Sequence, residues 1–338
     1  MPRVAVLSAG SWGTAFALVL ADAGCDVLLH ARRPEIAEDI NTRGQNPAYL
    51  PGARLPGRVR ATTEAAVALA GADVALLSIP SQSLRANLAA WAPLIEPDTL
   101  VVSLMKGIEL GTGLRMSEVI ARSAGIDPDR IAVLSGPNLA REIAARQPAA
   151  GVIACTDHDA GRRLQAACHT PHFRPYTHTD VIGCELGGTV KNIVALSVGL
   201  ATGLGLGGNA KATLMTRGLA ETARLGAALG ADPGTFAGLA GLSDLTATCL
   251  SPLSRNRTFG EHLARGLTVD QASAATGQTA EGAKSAYSVL SLARRLGVEM
   301  PITELVVAVL DGQVTLGQAA DLLMTRAPKA ELSGTRRA

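Results

Sequence analysis

Short apolar segments alternate with helical patterns over the first half of the chain, and this alternation limits the fold more than any other feature. The segments with strand character are residues 4–7, 27–30, 74–79, 100–104, 131–134 and 151–154. Segments with helical spacing lie between them, for example residues 14–23 and 64–70. Strands that alternate with helices are typical of a parallel, doubly wound sheet. We therefore predict an α/β domain in the first half.

The second half of the 338-residue chain differs in composition from about Gly183 onward. Ala, Leu and Gly dominate there, and helical patterns follow one another at residues 186–200, 210–229, 269–275, 282–296 and 303–309. Only 3% of all residues are aromatic, so the cores must consist mainly of aliphatic side chains, which suits helices packed on parallel strands. We expect a sheet domain over residues 1–182 and an all-helical domain over residues 183–338.

Charge and cysteine content argue against several classes of protein. The formal net charge is +2, which argues against binding to nucleic acid or to a membrane surface. The five cysteines are scattered without a Cys-x-x-Cys pair, which indicates reduced core thiols and a cytoplasmic protein. No uncharged run is long enough to span a membrane, and Asp22 and Asp26 interrupt the N-terminal apolar stretch. The histidines between residues 169 and 178 fit no common zinc spacing, so we predict no metal.

A glycine-rich turn directly follows the first predicted strand and precedes a helix. Gly10 and Gly13 occupy the second and third glycine positions of Gly-x-Gly-x-x-Gly, whereas Ser8 occupies the first. Such a turn brings the backbone close to a pyrophosphate and points a helix N-terminus at its charge. The pattern therefore predicts a Rossmann-type dinucleotide-binding turn. Ser8 fits without strain if its φ angle is negative and costs about 1 kcal/mol or more if it is positive.

The end of the second predicted strand carries arginines where an NAD site usually carries an acid. Arg32 and Arg33 follow the strand directly, and Glu35 comes only after Pro34. Guanidinium groups bind a 2′-phosphate through forked hydrogen bonds, so we predict NADP as the preferred cofactor, with NAD possible. The alternative is a solvated basic turn without a ligand.

Polar residues follow three other predicted strands, at the edge of the sheet where open α/β folds bind ligands. These are residues 80–82 (PSQ), 105–107 (MKG) and 135–138 (SGPN). Each segment alone is equally consistent with an ordinary surface loop. Together they predict a ligand site that includes Lys106.

A lysine lies on a face of small residues in the first predicted helix of the second half. Gly187 and Gly188 precede Lys191 on this face, and Val194 and Ala195 follow it. Small residues let a substrate or cofactor approach the helix, and a lysine partly removed from water is a better proton donor. The alternative is a helix-packing groove with a lysine that extends to solvent.

Two later clusters add chemistry. Asp244 and Thr248 are four residues apart and share one face if the segment is helical. Residues 254–257 (SRNR) combine two guanidinium groups, an amide and a hydroxyl, which suits a phosphate ester, although a charged helix start would look the same.

Over nearly its whole length the chain resembles the bacterial NAD(P)-dependent glycerol-3-phosphate dehydrogenase family. The motifs that carry the resemblance are residues 10–15 (GSWGTA), 106–107 (KG), 135–137 (SGP), 186–192 (LGGTVKN), 209–211 (NAK), 216–221 (TRGLAE), 241–245 (GLSDL), 254–257 (SRNR), 281–282 (EG) and 300–304 (MPITE). The family is a soluble, usually dimeric enzyme that supplies glycerol phosphate for phospholipid synthesis. The chain departs from the family at Ser8, where a glycine is usual, and at Asn138, where Ser or Thr is common.

The resemblance implies roles for individual residues. Lys191 would donate the proton to the substrate carbonyl and Lys106 would orient the substrate, with Asp244 holding both lysines. The substrate site would further contain Gly136, Asn138, Asn192, Thr248, Ser254, Arg255 and Asn256. The cofactor site would contain Gly10, Ser11, Trp12, Gly13, Arg32, Arg33, Lys106, Ala140, Arg255, Thr279 and Glu281. Two alternatives remain from the sequence: a reductase of another small ketone, and a non-catalytic NADP-binding sensor.

Overall fold

The computed structural model describes residues 1–277, 281–315, 317–319 and 322, and these contain an eight-stranded sheet. The strands are Arg3–Leu7 (β1), Asp26–His30 (β2), Val59–Thr62 (β3), Val74–Leu77 (β4), Leu100–Ser103 (β5), Ile131–Ser135 (β6), Ala149–Ala154 (β7) and Phe173–His178 (β8). Their order is β3-β2-β1-β4-β5-β6-β7-β8. The first six in this order are parallel, which is the doubly wound order of dinucleotide-binding folds. The predicted α/β fold with a Rossmann-type sheet is confirmed.

Helices cover both faces of this sheet. They are Ser11–Asp22 (α1), Pro34–Glu38 (α2), Ala65–Leu69 (α3), Leu84–Trp91 (α4), Met116–Ala124 (α5), Ala140–Ala144 (α6) and His158–Cys168 (α7). Successive residues of a strand point to opposite faces. Val4 and Val6 pack in the cluster that contains α1, whereas Ala5 and Leu7 pack in the cluster that contains α4 and α5. Because both faces are covered, β1 is apolar at nearly every position.

The strands at the two edges of the sheet differ from the prediction. β7 pairs antiparallel with β6, and β8 pairs parallel with β7, so the last two strands run opposite to the first six. The sequence did not reveal this because the apolar pattern of a strand is the same in both directions. β3 was not predicted, because it has only four residues and one of them, Arg60, is exposed.

The second half folds into helices around one long central helix. The helices are Val181–Gly203 (α8), Gly208–Ala228 (α9), Asp244–Leu250 (α10), Arg255–Ala264 (α11), Val269–Thr276 (α12), Glu281–Arg295 (α13) and Pro301–Leu310 (α14). α8 contacts α9, α10, α11, α13 and α14. By length and composition alone α8 is apolar enough to cross a membrane, but 89% of its apolar window is buried inside the protein. The predicted helical domain is confirmed, with α8 in its core.

The cysteines are core residues. All five are buried, and none is in a disulfide. Burial raises the pKa of Cys168 to about 12 and that of Cys249 to about 12. The prediction that these thiols lie in the core is confirmed.

Candidate active site

The turn between β1 and α1 keeps the shape of a dinucleotide-binding turn although Ser8 occupies its first position. The φ angle of Ser8 is +140°, so the strained alternative applies, at a cost of about 1 kcal/mol or more. Its hydroxyl accepts a hydrogen bond from the Gly10 amide at 3.2 Å. A Cβ at Gly13 would lie 2.4 Å from the Ser8 carbonyl oxygen, so only glycine lets the helix begin this close. Ser11 begins α1, whose N-terminus favours an anion.

The two arginines after β2, which we call the arginine turn, are both exposed. The guanidinium of Arg33 lies 5.3 Å from the centre of the Tyr49 ring and 3.5 Å from the Glu35 carboxylate. Glu35 therefore offsets part of the charge of Arg33. This makes Arg32 the stronger candidate for contact with a 2′-phosphate.

Two predicted lysines meet on one buried carboxylate, and we call Lys106, Lys191 and Asp244 the lysine centre. Lys106 Nζ lies 2.5 Å from Asp244 Oδ2 and donates to the Gly136 carbonyl at 3.0 Å. Lys191 Nζ lies 2.7 Å from Asp244 Oδ1 and 2.6 Å from Thr248 Oγ1. Asp244 has no solvent exposure and Lys191 has 9%, so Lys191 does not extend to solvent. Lys106 follows β5 of the sheet domain, whereas the other two residues lie on α8 and α10, so the centre joins the two domains.

The charges of the lysine centre do not cancel. Two ammonium groups face one carboxylate, which leaves one positive charge in a largely buried place. The pKa of Lys106 is lowered to about 8: burial lowers it most, Asp244 opposes this, and the charge of Lys191 adds a smaller lowering effect. At neutral pH Lys106 therefore keeps its proton. A buried positive charge of this kind stabilises negative charge that develops on a nearby oxygen.

The protein itself fills the small-residue face beside Lys191. A Cβ at Gly187 would lie 2.3 Å from the Ala240 carbonyl oxygen. A Cβ at Gly188 would lie 2.8 Å from the Ser135 hydroxyl oxygen, with the aliphatic part of Lys106 at an ordinary contact distance of 3.5 Å. These glycines therefore admit a neighbouring backbone and the Ser135 side chain. The expectation that this face lets a ligand approach the helix is wrong at these two positions.

The predicted phosphate cluster begins at the N-terminus of α11. Ser254 caps this helix by accepting a hydrogen bond from the Arg257 amide at 3.3 Å. The side chain of Asn256 donates to Asn192 Oδ1 at 2.9 Å and accepts from the Gly282 amide at 2.8 Å. This buried bridge holds α8, α11 and α13 together.

The two arginines of this cluster have different surroundings. Arg257 forms an ion pair with Glu261 at 2.9 Å and donates to the Leu250 carbonyl at 2.7 Å. Arg255 is exposed, and its charge interacts with that of Glu281. The sequence pattern placed both guanidinium groups in one cluster, but Arg257 is paired with its own helix and with the end of α10.

Four other predicted residues lie near these groups or on the strand-end loops. Gly136 has a φ angle of +112°, and a Cβ there would lie 3.2 Å from the neighbouring strand at Gly151. Neither polar atom of the Asn138 side chain has a hydrogen-bond partner in the described part of the chain. The indole nitrogen of Trp12 also lacks one there. Ala140 begins α6 just beyond this loop.

The loop after β4 reaches the helical domain, which the sequence did not predict. Ser81 donates to the Glu281 carboxylate at 2.7 Å, and Gln82 donates to the Ile108 carbonyl at 2.9 Å. The only signal in the sequence was the position of these residues after a strand. Thr279, a predicted cofactor residue, lies outside the described residues.

A buried ion pair that the sequence analysis missed ties together the two lysine-bearing segments. Arg115 lies 2.6 Å from Glu185, which also accepts hydrogen bonds from the amide and hydroxyl of Ser117 at 2.8 and 2.6 Å. Glu185 precedes Lys191 on α8, and Arg115 ends the loop that begins at Lys106. Isolated charges give no pattern that would have revealed this pair.

The histidines near Cys168 have ordinary contacts. The amide of Asp180 donates to His178 Nδ1 at 2.8 Å, and His172 lies 3.4 Å from Asp22. Within the described residues, no group of three or more His, Cys, Asp or Glu side chains is arranged to hold a metal ion.

Comparison with known proteins identifies the family. The family model described as NAD-dependent glycerol-3-phosphate dehydrogenase N-terminus matches residues 3–161, and the one for the C-terminus of the same enzyme matches residues 180–321. The glycerol-3-phosphate dehydrogenase (NAD(P)+) of Streptomyces griseus is 64% identical over 329 residues, which cover 97% of this chain and 98% of that protein. The enzyme of the same name from Thermobifida fusca is 62% identical over 335 residues, with 99% and 100% covered.

A solved structure gives the same result. The crystal structure of glycerol-3-phosphate dehydrogenase from Coxiella burnetii matches with a TM-score of 0.91 and 38% identity, and it covers 96% of this chain and 98% of its own. The motifs, the fold and the relatives therefore agree. The chain belongs to the NAD-dependent glycerol-3-phosphate dehydrogenase family.

Proposed function

We propose that the chain is an NAD(P)-dependent oxidoreductase that reduces dihydroxyacetone phosphate to sn-glycerol 3-phosphate. The observation that carries this proposal is the lysine centre, where ammonium groups from both domains meet on one buried carboxylate. Family membership supports it, because relatives 64% and 62% identical are named for this activity. The product is the glycerol phosphate that phospholipid synthesis uses.

The residues of the glycine-rich turn fit a nicotinamide cofactor. Gly13 lets α1 begin close to the end of β1, and α1 points its N-terminus at the turn. When bound, the reduced cofactor supplies the hydride. The residues that we assign to it are Gly10, Ser11, Trp12, Gly13, Arg32, Arg33, Lys106, Ala140, Arg255, Thr279 and Glu281.

Lys191 donates the proton in the proposed reaction. Hydride addition to the C2 carbonyl leaves an electron pair on its oxygen, which takes a proton from the ammonium group and becomes a hydroxyl. An ammonium has three N–H bonds, and Asp244 and Thr248 account for two of those on Lys191. The third is left for the substrate oxygen. The charge of the lysine also stabilises the oxygen before the proton moves.

Lys106 orients the substrate from the opposite side of Asp244. Two of its three N–H bonds go to Asp244 and to the Gly136 carbonyl, which again leaves one for the substrate. The amide of Asn138, which has no hydrogen-bond partner among the described residues, and the backbone at Gly136 complete this side. We assign the substrate phosphate to Ser254, Arg255 and Asn256, where Arg255 supplies the charge. Asn192 supports Asn256 through their hydrogen bond.

NADPH is the preferred cofactor in this proposal. The arginine turn is exposed and carries guanidinium groups where a carboxylate would repel a 2′-phosphate. Glu35 lies against Arg33, so the preference depends mainly on Arg32. NAD remains a slower alternative.

The same proposal includes the setting of the enzyme. We place the domain boundary at residues 182 and 183, close to the start of α8 at Val181. We further propose a homodimer in the cytoplasm, without nucleic acid, membrane or metal partners. The buried free thiols support a reducing compartment.

A spectrophotometric assay of NADPH oxidation tests the proposed function. We expect turnover with dihydroxyacetone phosphate and little with unphosphorylated dihydroxyacetone. Equal efficiency on both ketones would point to a reductase of a different small ketone. Tight NADPH binding without turnover of either would point to a sensor.

A further inference from the structure

One buried asparagine outside the proposed site holds the backbone of the glycine-rich turn. Asn46 lies in the connection between α2 and β3 and is 1% exposed. Its side-chain nitrogen donates to the Ala9 carbonyl at 2.8 Å and to Thr14 Oγ1 at 2.8 Å. Ala9 precedes the first residue of α1, and Thr14 lies in its first turn. Asn46 therefore fixes both sides of the helix N-terminus.

The hydrogen bond from Asn46 to the Ala9 carbonyl determines which way the peptide between Ala9 and Gly10 faces. The Ala9 carbonyl and the Gly10 amide belong to one planar trans peptide, so their C=O and N–H bonds point in opposite directions. Asn46 holds the carbonyl end, and the Ser8 hydroxyl accepts from the amide end at 3.2 Å. A rotation of this peptide would turn the carbonyl toward the place of an anion, where it would repel the anion.

The Ala9–Gly10 peptide lies next to a residue with an unfavourable backbone conformation. It follows Ser8, whose φ angle of +140° is unfavourable for a side chain, so the backbone would gain free energy by turning away. A second contact from the same connection opposes this movement, because the hydroxyl of Ser11 donates to the Tyr49 carbonyl at 2.7 Å. The connection thus supports the turn at two points.

We propose that Asn46 is a positioning residue for the cofactor: it keeps the Ala9 carbonyl turned away from the place of the pyrophosphate and so compensates for Ser8. It does not touch the reacting atoms. This inference rests on the proposed use of the glycine-rich turn by NADPH.

Asn41, which is exposed, provides a control. It lies in the same connection and also makes two hydrogen bonds of 2.8 and 2.9 Å, but both go to the backbone of Ala61 on β3. Asn41→Ala therefore detaches the connection from the sheet edge and leaves the glycine-rich turn untouched. A merely structural role of the connection would make the two variants alike.

The experiment compares Asn46→Ala, Asn41→Ala and Arg32→Ala in the full chain by NADPH titration, steady-state kinetics and thermal unfolding. For Asn46→Ala we expect the Kd and KM for NADPH to rise about tenfold, because two buried hydrogen bonds are lost. Its kcat at saturating NADPH and its KM for dihydroxyacetone phosphate should change by less than about twofold. Asn41→Ala should lower the unfolding temperature without this change in Kd.

A second variant covers the case in which Asn46→Ala does not fold. Thr14→Val keeps the side-chain shape and removes only the hydroxyl that accepts from Asn46, so we expect about a threefold rise in the Kd for NADPH. If Asn46→Ala folds and its Kd for NADPH is unchanged, the inference is overturned. If Asn46→Ala does not fold, an unchanged Kd in Thr14→Val overturns it instead. In both cases weaker NADPH binding by Arg32→Ala would still support the cofactor site. An equal rise in Asn41→Ala would also overturn it. Unchanged NADPH binding in both Asn46→Ala and Arg32→Ala would overturn the inference and show that Arg32 is only solvated, whereas an unmodified chain that does not bind NADPH would remove the cofactor site and the inference together.

Discussion

The lysine centre and the arginine turn both present positive charge to a ligand, but the chain builds them in opposite ways. The lysines share a carboxylate with no solvent exposure, and four contacts of 2.5 to 3.0 Å fix them before any substrate arrives. The arginines lie at an exposed edge, where Arg33 is only 3.5 Å from Glu35. Charge that must act on a reacting oxygen is held rigidly away from water, where it is strongest. Charge that only distinguishes NADPH from NADH does not need to be held rigidly or away from water.

The largest expected effect is in the buried region. Lys191→Ala should lower kcat by about 10²- to 10⁴-fold, because the proton donor and its local charge are both lost. NADPH binding should change little. Stopped-flow and steady-state measurements of NADPH oxidation check this, with Lys284→Ala on the exposed surface of α13 as the control. A near-normal kcat would assign the proton to another group, with Lys106 next.

The phosphate site should give the next largest effect. Arg255→Ala should raise the KM for dihydroxyacetone phosphate roughly ten- to a hundredfold, since one charge-assisted contact is worth about 1.5–3 kcal/mol. The matched control is Arg257→Ala, because Arg257 is paired with Glu261 and should leave the KM unchanged. If the two variants have the same KM, the phosphate does not bind at Arg255.

The pH dependence should separate the two regions. Lys106 has a pKa of about 8 because burial lowers it, so kcat/KM should be level below pH 8 and fall above it as the lysine loses its proton. Stability should change in the opposite direction: the unfolded chain retains this proton to higher pH, so the free energy of unfolding should rise above pH 8. In Lys106→Arg the charge persists, and the fall in kcat/KM should disappear. A fall that persists in this variant would belong to another group.

The smallest expected effect is at the exposed edge. The double variant Arg32→Ala with Arg33→Ala should reduce the preference for NADPH over NADH, which we expect to be about tenfold, mainly by weakening NADPH. Added salt should also reduce the preference, because exposed charges are screened. Paired titrations of both cofactors measure this, with the exposed Arg43→Ala as control. Equal dissociation constants in the unmodified chain would show that these arginines are only solvated.

The sequence predicted local features well and contacts between distant residues poorly. The glycine-rich turn, the strands of the parallel sheet and the helical second half follow from patterns within short segments. The ion pair between Lys106 and Asp244 joins residues 138 positions apart, so no periodicity predicts it, and only the family resemblance implied it. The direction of β7 and the contacts of Asn46 were missed for the same reason: they depend on tertiary packing.

The reversed edge of the sheet has a consequence for how this chain tolerates changes in length. Because β8 runs opposite to β6, α8 begins at the end of the sheet that holds the first residues of the parallel strands. It then covers about 15 Å between Val181 and Lys191, which brings the lysine to the edge where those strands end. One inserted residue in this stretch would move Lys191 by about 1.5 Å and rotate it by about 100°. Insertions and deletions should therefore be absent from this stretch among active relatives and collect in loops beyond it, such as residues 204–207.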